Sequence, residues 1–340
     1  MRVAFGHGDA ESSSQALPVR GIHRILVCHV SHTLGNTLLL TPLLRELERL
    51  YPGAEVDVVT RSPVADGIFG AFDGVRHVYR LPRHGVASPF SLLRTLRELR
   101  ARRYDLAIDP CLRSQSDRIG VLLANAQRTL GFVGPGKSGV LTHDVESPDS
   151  IVHIGKLPVY LLRRAVGRLD STPYPRLDIC LTDEEREHGS SQLMRLFDDA
   201  PSTIPGMRPT IIGLFANATG AKNLGCDWWQ SFAARVATRW PNARIVEFVP
   251  AAGDSLLDAA YPTFYSSDLR RLASVMANVD LFVSADCGVM HLACAAGTRT
   301  VGLFSVTDPA EWGPYGPGNH VFEIAGRTPE QIADSLPPPH

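Results

Sequence analysis

The chain has 340 residues, 44% hydrophobic and 20% charged, with a formal net charge of −1. That length exceeds one domain of about 100–200 residues and suits two, and the balance is that of a globular protein, which excludes disorder as the dominant state. The near-zero charge excludes a whole-protein footprint for nucleic acid, but leaves room for a local basic pocket that takes a phosphorylated ligand.

No apolar run approaches the roughly 20 residues of a membrane span. Residues 1–23 are Ser-rich, lack a signal-peptide core and read as a flexible tail. Membrane contact is therefore expected to be peripheral at most. Cys28, Cys111, Cys180, Cys226, Cys287 and Cys294 form no CxxC pair and no disulfide or metal-ligand spacing. Reduced, buried thiols in a cytoplasmic protein are the expectation.

In chain order, the β-type run Arg24–Val30 comes first, then a polar turn, Ser31–Asn36, then a helical stretch, Thr37–Leu50. Pro42 lies inside that stretch, so the helix either kinks there or starts afresh with Thr41 as cap. Strands are expected at Glu55–Thr60 and Val75–Arg80. A helix over Phe90–Arg103 would carry Leu92, Leu93, Leu96 and Leu99 on one face. A strand at Tyr104–Pro110 is followed by helices at Gln115–Ala124 and Gly155–Leu169.

Ser171–Cys180, STPYPRLDIC, reads as a Pro-rich interdomain linker. The rhythm then restarts: strand Thr210–Ala216, helix Asp227–Trp240 with Asp227 as N-cap, strand Ala243–Val249, helix Ser267–Asn278, strand Asp280–Ala285, helix Gly288–Ala296 and strand Arg299–Ser305. Strand–helix alternation in two blocks implies two Rossmann-like domains with parallel sheets, residues 24–172 and 173–340. Ligands of such sheets bind beyond the carboxyl ends of the strands. The chemistry is therefore expected in the turns after Val30, Asp109, Ala216, Ala285 and Ser305.

Two motifs are decoys. Gly131, Gly136, Lys137 and Ser138 match GxxxxGK[ST] literally, but that motif needs a strand before it and a helix after it. Helix-like residues lead towards it and no helical periodicity follows, so a P-loop is rejected. His29 and His32 lack a third metal ligand nearby, so no metal site is expected.

The informative stretch is Asp280–Gly316. A buried strand ends at Ala285, Asp286-Cys287-Gly288 makes a tight turn, and a helix begins with His291 in its first turn. The free amides and dipole of such a helix start favour an anion. Asp286 could accept from a ribose or sugar hydroxyl and His291 could donate to a phosphate; helix capping by Asp286 and a packed His291 are the bland equivalents.

The order Asp286, Gly288, His291, Leu292, Ala293, Ala295, Ala296, Gly297, Phe304, Thr307, Asp308, Pro309, Pro314, Tyr315, Gly316 resembles the C-terminal signature of glycosyltransferase family 9. That family contains the ADP-heptose:lipopolysaccharide heptosyltransferases. Cys287 stands where the signature has Ser or Thr, and Ser305 where it has Gly. The turn Ser31–Asn36 with TPLLREL at Thr41, and Lys222 before a Trp-containing helix, are similar to the family too.

The resemblance implies GT-B architecture: two Rossmann-like domains facing a cleft. It implies inversion without metal or cofactor, a nucleotide-sugar donor (ADP-heptose) in the C-terminal domain, and a lipopolysaccharide-core or other glycan acceptor in the N-terminal domain. The enzyme would work at the inner face of the cytoplasmic membrane. Lys222, His291 and helix N-termini would stabilise the departing diphosphate, with Cys287, Gly288 and Thr307 in the same neighbourhood. The family's base is the Asp of an S-x-x-G-D turn; here that position is Asn36, whose amide has no basic site near neutral pH. Three readings stay open. His32 or Asp109 serves instead, Asn36 only orients the acceptor, or the chain binds nucleotide-sugar without transfer. A different donor or acceptor on the same fold is the further alternative. After the second strand of the C-terminal half, the family's G-G-x-x-[ED] turn is reduced to the neighbourhood of Asp254.

Overall fold

A computed structural model of the chain describes residues 16–82, 89–134, 137–169, 171–197, 209–251 and 254–339, with the side chains of 89–92 excepted. The first half runs β1 (Arg24–His29), α1 (Leu34–Leu38), α2 (Thr41–Leu50), β2 (Glu55–Thr60), α3 (Ala65–Phe69), β3 (Val75–Arg80), α4 (Pro89–Ala101), β4 (Leu106–Asp109), α5 (Gln115–Leu123), β5 (Arg128–Val133), β6 (His143–Glu146) and α6 (Leu157–Ala165). The second half runs α7 (Asp183–Arg195), β7 (Ile211–Phe215), a 3-10 turn (Gly220–Lys222), α8 (Cys226–Arg239), β8 (Arg244–Phe248), β9 (Thr263–Phe264), α9 (Leu269–Met276), β10 (Leu281–Ala285), α10 (Gly288–Ala296), β11 (Thr300–Phe304), α11 (Pro309–Trp312), β12 (His320–Glu323) and α12 (Pro329–Ser335).

Each half holds a six-stranded sheet, ordered β3-β2-β1-β4-β5-β6 and β12-β11-β10-β7-β8-β9. The strands pair in parallel throughout, for example Val27 with Val58 and with Ile108. The second order, read backwards, repeats the first: the opening strand of each half lies at the centre and the chain reverses direction beside it. That reversal opens a crevice between β1 and β4, and another between β7 and β10, at the carboxyl ends. This is the GT-B architecture expected from the sequence. Central strands are apolar on both faces, and β1, β7, β10 and β11 are buried almost throughout, as parallel strands covered by helices must be. One apolar core runs across both halves, from Val27 through Ile179 to Phe282.

The helical stretch at 37–50 is two helices. Pro42 sits in the first turn of α2, where its missing N–H is harmless, and the Thr41 hydroxyl donates back to Leu38 O at 2.7 Å. Thr41 is thus inside the helix, and Leu40 holds the cap position. Asp227 does not cap α8: Gly225 does, at φ +81°, and Asp227 falls in the first turn. In α4 Leu99 is buried but Leu93 is 56% exposed. At about 100° per residue Leu93 lies well off the Leu96–Leu99 face. Leu92 falls outside the described side chains.

Residues 1–15 of the expected tail fall outside the described residues. The packed chain begins before β1: Leu17 and Ile22 are buried, and Leu17 N donates to Ala165 O at 2.7 Å. The Pro-rich segment Ser171–Cys180 carries no helix or strand, yet it is tied down. Arg163 donates to Thr172 O (2.6 Å) and Pro173 O (3.1 Å) while paired with buried Glu46 at 2.8 Å. Arg45 reaches Asp178 at 2.8 Å. No helix among the described residues is long and apolar enough to cross a membrane.

Candidate active site

On the second half, three side chains meet beyond β10 and β11. Lys222, from the 3-10 turn after β7, places Nζ 2.7 Å from Asp286 Oδ2. Thr307, after β11, donates its hydroxyl to the same oxygen. Asp286 is 5% exposed. A buried carboxylate needs such partners, and Asp286 in turn fixes the ammonium at the start of α10. Cys287 is the extended N-cap residue of α10 and its side chain forms no cap bond. Its thiol lies 3.5 Å from Ser284 Oγ, and burial pushes it up. The start of α10 carries the positive end of the helix dipole, which favours an anion.

His291 is buried in α10 and its Nδ1 has no hydrogen-bond partner among the described residues. Burial, with His153 and Lys222 nearby, pushes its pKa down to about 4. His291 is therefore a neutral ring at pH 7, able to offer an N–H but no charge. Asn217, at the carboxyl end of β7, also holds a buried amide nitrogen without a partner. An orphan buried donor on the crevice edge is the signal that marks it. Asp254 is exposed, and the adjacent Ala252 and Gly253 fall outside the described residues.

The two halves touch helix start to helix start. A Cβ added to Gly288 would meet Gly35 N and Leu34 Cβ, each at 3.0 Å, and one added to Gly35 would meet the His291 ring at 3.1 Å. A side chain at Gly288 would press on the α1 backbone, and one at Gly35 on the His291 ring. Gly288→Val is expected to push α1 off α10 at about 1–3 kcal/mol of overpacking. Hydrogen exchange at residues 34–39 should rise about tenfold or more, with β4 unchanged.

On the first half a cavity of about 520 Å³ opens beyond β1 and β4. Leu39, Leu40, Ile151, Ile154 and Trp312 give it apolar walls, and Asn36, His29 and Cys111 supply polar groups. Arg113 and Glu311 approach to 3.9 Å on its wall, one from each half. Asn36 donates its amide to Ser31 Oγ at 3.2 Å. His32 is exposed and does not line the cavity.

Asp109, offered with His32 as a candidate base, is fully buried and does not line the cavity. Its Oδ2 takes Arg118 Nε at 2.9 Å and Lys137 Nζ at 2.6 Å. Burial pushes its carboxyl up and the two cations pull it down. Two cations occupy it on the core side, so it does not face an acceptor. The same ion pair settles the P-loop decoy. A strand, β5, does lead into Gly134, contrary to the helix-like lead expected. But no helix follows, Lys137 is consumed by Asp109 and Ser114 O, and Pro135 and Gly136 fall outside the described residues.

Residues 266–335 match the model of glycosyltransferase family 9 (heptosyltransferase). This chain carries the family 9 segment. The glycosyltransferase class that its motifs imply stands with it. The matched segment holds α9, β10, α10 and β11, and with them Asp286, Gly288, His291 and Thr307. No curated protein matches the chain in sequence. Among solved structures, a family 9 glycosyltransferase from Veillonella parvula is 18% identical at a TM-score of 0.73, over 90% of this chain and 86% of that one. The ADP-heptose lps heptosyltransferase II of E. coli is 19% identical at 0.68, over 92% and 96%. The E. coli heptosyltransferase WaaC, solved with ADP, is 18% identical at 0.66, over 92% and 97%. Likeness at these identities establishes the shared two-domain fold.

Proposed function

We propose that the chain is an inverting, metal-independent glycosyltransferase that moves heptose from ADP-heptose to a hydroxyl of a lipopolysaccharide-core or related envelope glycan. It works in the cytoplasm at the inner face of the membrane, with residues 24–172 holding the acceptor and 173–340 the donor. The observation that carries this reading is the Lys222–Asp286–Thr307 cluster at the N-terminus of α10, with Asp286 and Thr307 inside the family 9 segment. An ammonium, helix-start amides and a neutral imidazole together suit a departing diphosphate, the task that a divalent cation performs elsewhere. The donor is chosen because the E. coli heptosyltransferase WaaC, which shares this fold, is described with ADP and with ADP-2-deoxy-2-fluoro heptose.

A second reading has one observation in its favour. Asn36 presents an amide, already bonded to Ser31, where the family places its carboxylate base. The chain would then bind nucleotide-sugar without transferring it. Calorimetric titration with ADP, UDP, GDP and ADP-heptose, with no metal added, tests the donor. Preferential binding of ADP and ADP-heptose is expected. Preference for a UDP or GDP sugar keeps the class and overturns the substrate, and ADP-heptose binding without ADP release favours the second reading.

A further inference from the structure

A helix that covers one side of a sheet normally buries an apolar stripe and turns a polar one to water. α5 departs from this. It buries Asp117, Arg118 and Val121, while its outward stripe, Ile119, Leu122 and Leu123 at i, i+3 and i+4, is apolar. Ile119 is 49% exposed, and Leu122 and Leu123 are 40% exposed each. Val140 adds a fourth exposed side chain: the neighbouring Gly139 packs against Leu122 Cδ1. Leu93 of α4 adds a fifth. α4 and α5 lie side by side on one face of the first sheet, where Leu99 and Val121 share a core and Arg100 Nε donates to Leu123 O at 2.9 Å. Leu93 stands two turns before Arg100, on the same side of α4. Single exposed apolar side chains need no explanation, but five on one face make a patch.

The patch is flanked by positive charge. α4 exposes Arg94, Arg97 and Arg100 against one acid, Glu98, which pairs with Arg94 at 2.9 Å. On a chain whose net charge is −1 this is a local excess. Leucines and isoleucine beside arginines suit a bilayer that carries anionic lipid. The apolar stripe enters the boundary between headgroups and acyl chains, and the guanidinium groups meet the phosphates. We propose that the α4–α5 face is the surface by which the chain docks on an anionic membrane. An acidic protein or a nucleic acid would pair with the arginines and leave the stripe in water. A second copy of the chain is disfavoured by symmetry. A two-fold contact through this face would set arginines against arginines, with Glu98 already taken.

The face is continuous with the cavity of the first half. Cys111, Leu112, Arg113 and Ser114 line that cavity and lead directly into α5. Ile119 follows Ser114 at roughly 8 Å along the helix axis, at 1.5 Å per residue. A bilayer seated on α4 and α5 therefore lies beside the cavity, and an acceptor anchored in that bilayer reaches the cavity without leaving it. This link between membrane and cavity rests on the glycosyltransferase reading above. The docking surface does not, since it is read from exposure and charge alone. In the sequence, apolar residues at helical spacing read as core. The exposure of this second apolar stripe appears only once Val121 and Leu99 are seen to fill the core side.

The test is flotation of the full chain with vesicles of phosphatidylcholine, alone or mixed with phosphatidylglycerol. At low salt the wild type is expected to float with the mixed vesicles, to bind neutral ones about tenfold less or weaker, and to be partly released by added salt. Ile119→Gln/Leu123→Gln removes apolar surface without changing charge and should weaken binding to mixed vesicles by about tenfold or more. Arg94→Gln/Arg97→Gln should weaken it by about tenfold and remove most of the preference for anionic lipid. Both variants change exposed side chains, so each should keep the wild-type thermal transition. A wild type that stays with the soluble fraction, or an Ile119→Gln/Leu123→Gln variant that floats as the wild type does, would overturn the proposal. So would a wild-type dimer in analytical ultracentrifugation that the same variant converts to monomer, which would make the stripe an interface between copies. Flotation needs neither donor nor acceptor. If calorimetry shows no nucleotide-sugar binding while flotation succeeds, the glycosyltransferase reading and the link to the cavity fall, and the docking surface stands.

Discussion

Lys222→Ala is expected to lower kcat about 10²–10³-fold, the loss typical of removing one preorganised group from developing charge, while the dissociation constant for ADP-heptose rises far less. The reason is differential. In the ground state the ammonium is already partnered by Asp286 at 2.7 Å, so a bound diphosphate adds only part of an interaction. As the glycosidic bond breaks, the diphosphate gains charge and the ammonium is held within the same site by a buried carboxylate. Only an interaction that strengthens in the transition state raises kcat. Asp286→Ala should behave differently. It frees both Lys222 and Thr307 from their shared oxygen, so donor affinity falls along with rate. Measuring kcat and the donor dissociation constant separately for the two variants checks the assignment. Equal losses in both quantities for Lys222→Ala would reduce it to a ground-state contact.

The fold was legible where one physical signal dominated. β1, β2, β4, β7, β8, β10 and β11, with α10, stood out because parallel strands covered on both faces read as short apolar runs between turns; β5, equally buried, did not, because the helix-like run before it and the glycines after it masked it. β6 and β12 were missed because they are four-residue strands with mostly solvated side chains, which leave no apolar run to see. α7 was missed although Thr182 and Glu185 form a capping box; its polar face outweighed its few apolar contacts. On the donor side, the sequence order placed Lys222, Asp286 and Thr307 correctly in one cluster, since their turns leave β7, β10 and β11, which are neighbours in the sheet. On the acceptor side the same rule discriminates less. It nominates every acidic residue at a strand end, and it cannot see that the counterions of Asp109 arrive from α5 and from a glycine-rich loop 28 residues on.

Asp109→Ala is therefore expected to damage stability rather than chemistry. Removing it leaves Arg118 and Lys137, with side chains 3% and 1% exposed, without the charge that offsets their burial. Breaking one partner out of a buried ionic cluster typically destabilises by about 3–5 kcal/mol. A drop of that size in the urea or thermal transition is the expected result, with β5 and α5 opening first. The triple replacement Asp109→Leu, Arg118→Met, Lys137→Met removes all three charges together and should recover much of the loss, because uncharged side chains of similar volume carry no desolvation penalty. Two bonds would still be missed, from Arg118 to Phe132 O at 2.5 Å and from Lys137 to Ser114 O at 2.6 Å, so recovery should stop short of the wild type. The discriminating readout is the pH dependence of residual ADP release at a temperature where Asp109→Ala remains folded. A structural carboxylate leaves the pH profile as it is in the wild type. An acid limb that vanishes with Asp109 would make it the base, one of the two groups, with His32, that the sequence offered for the role.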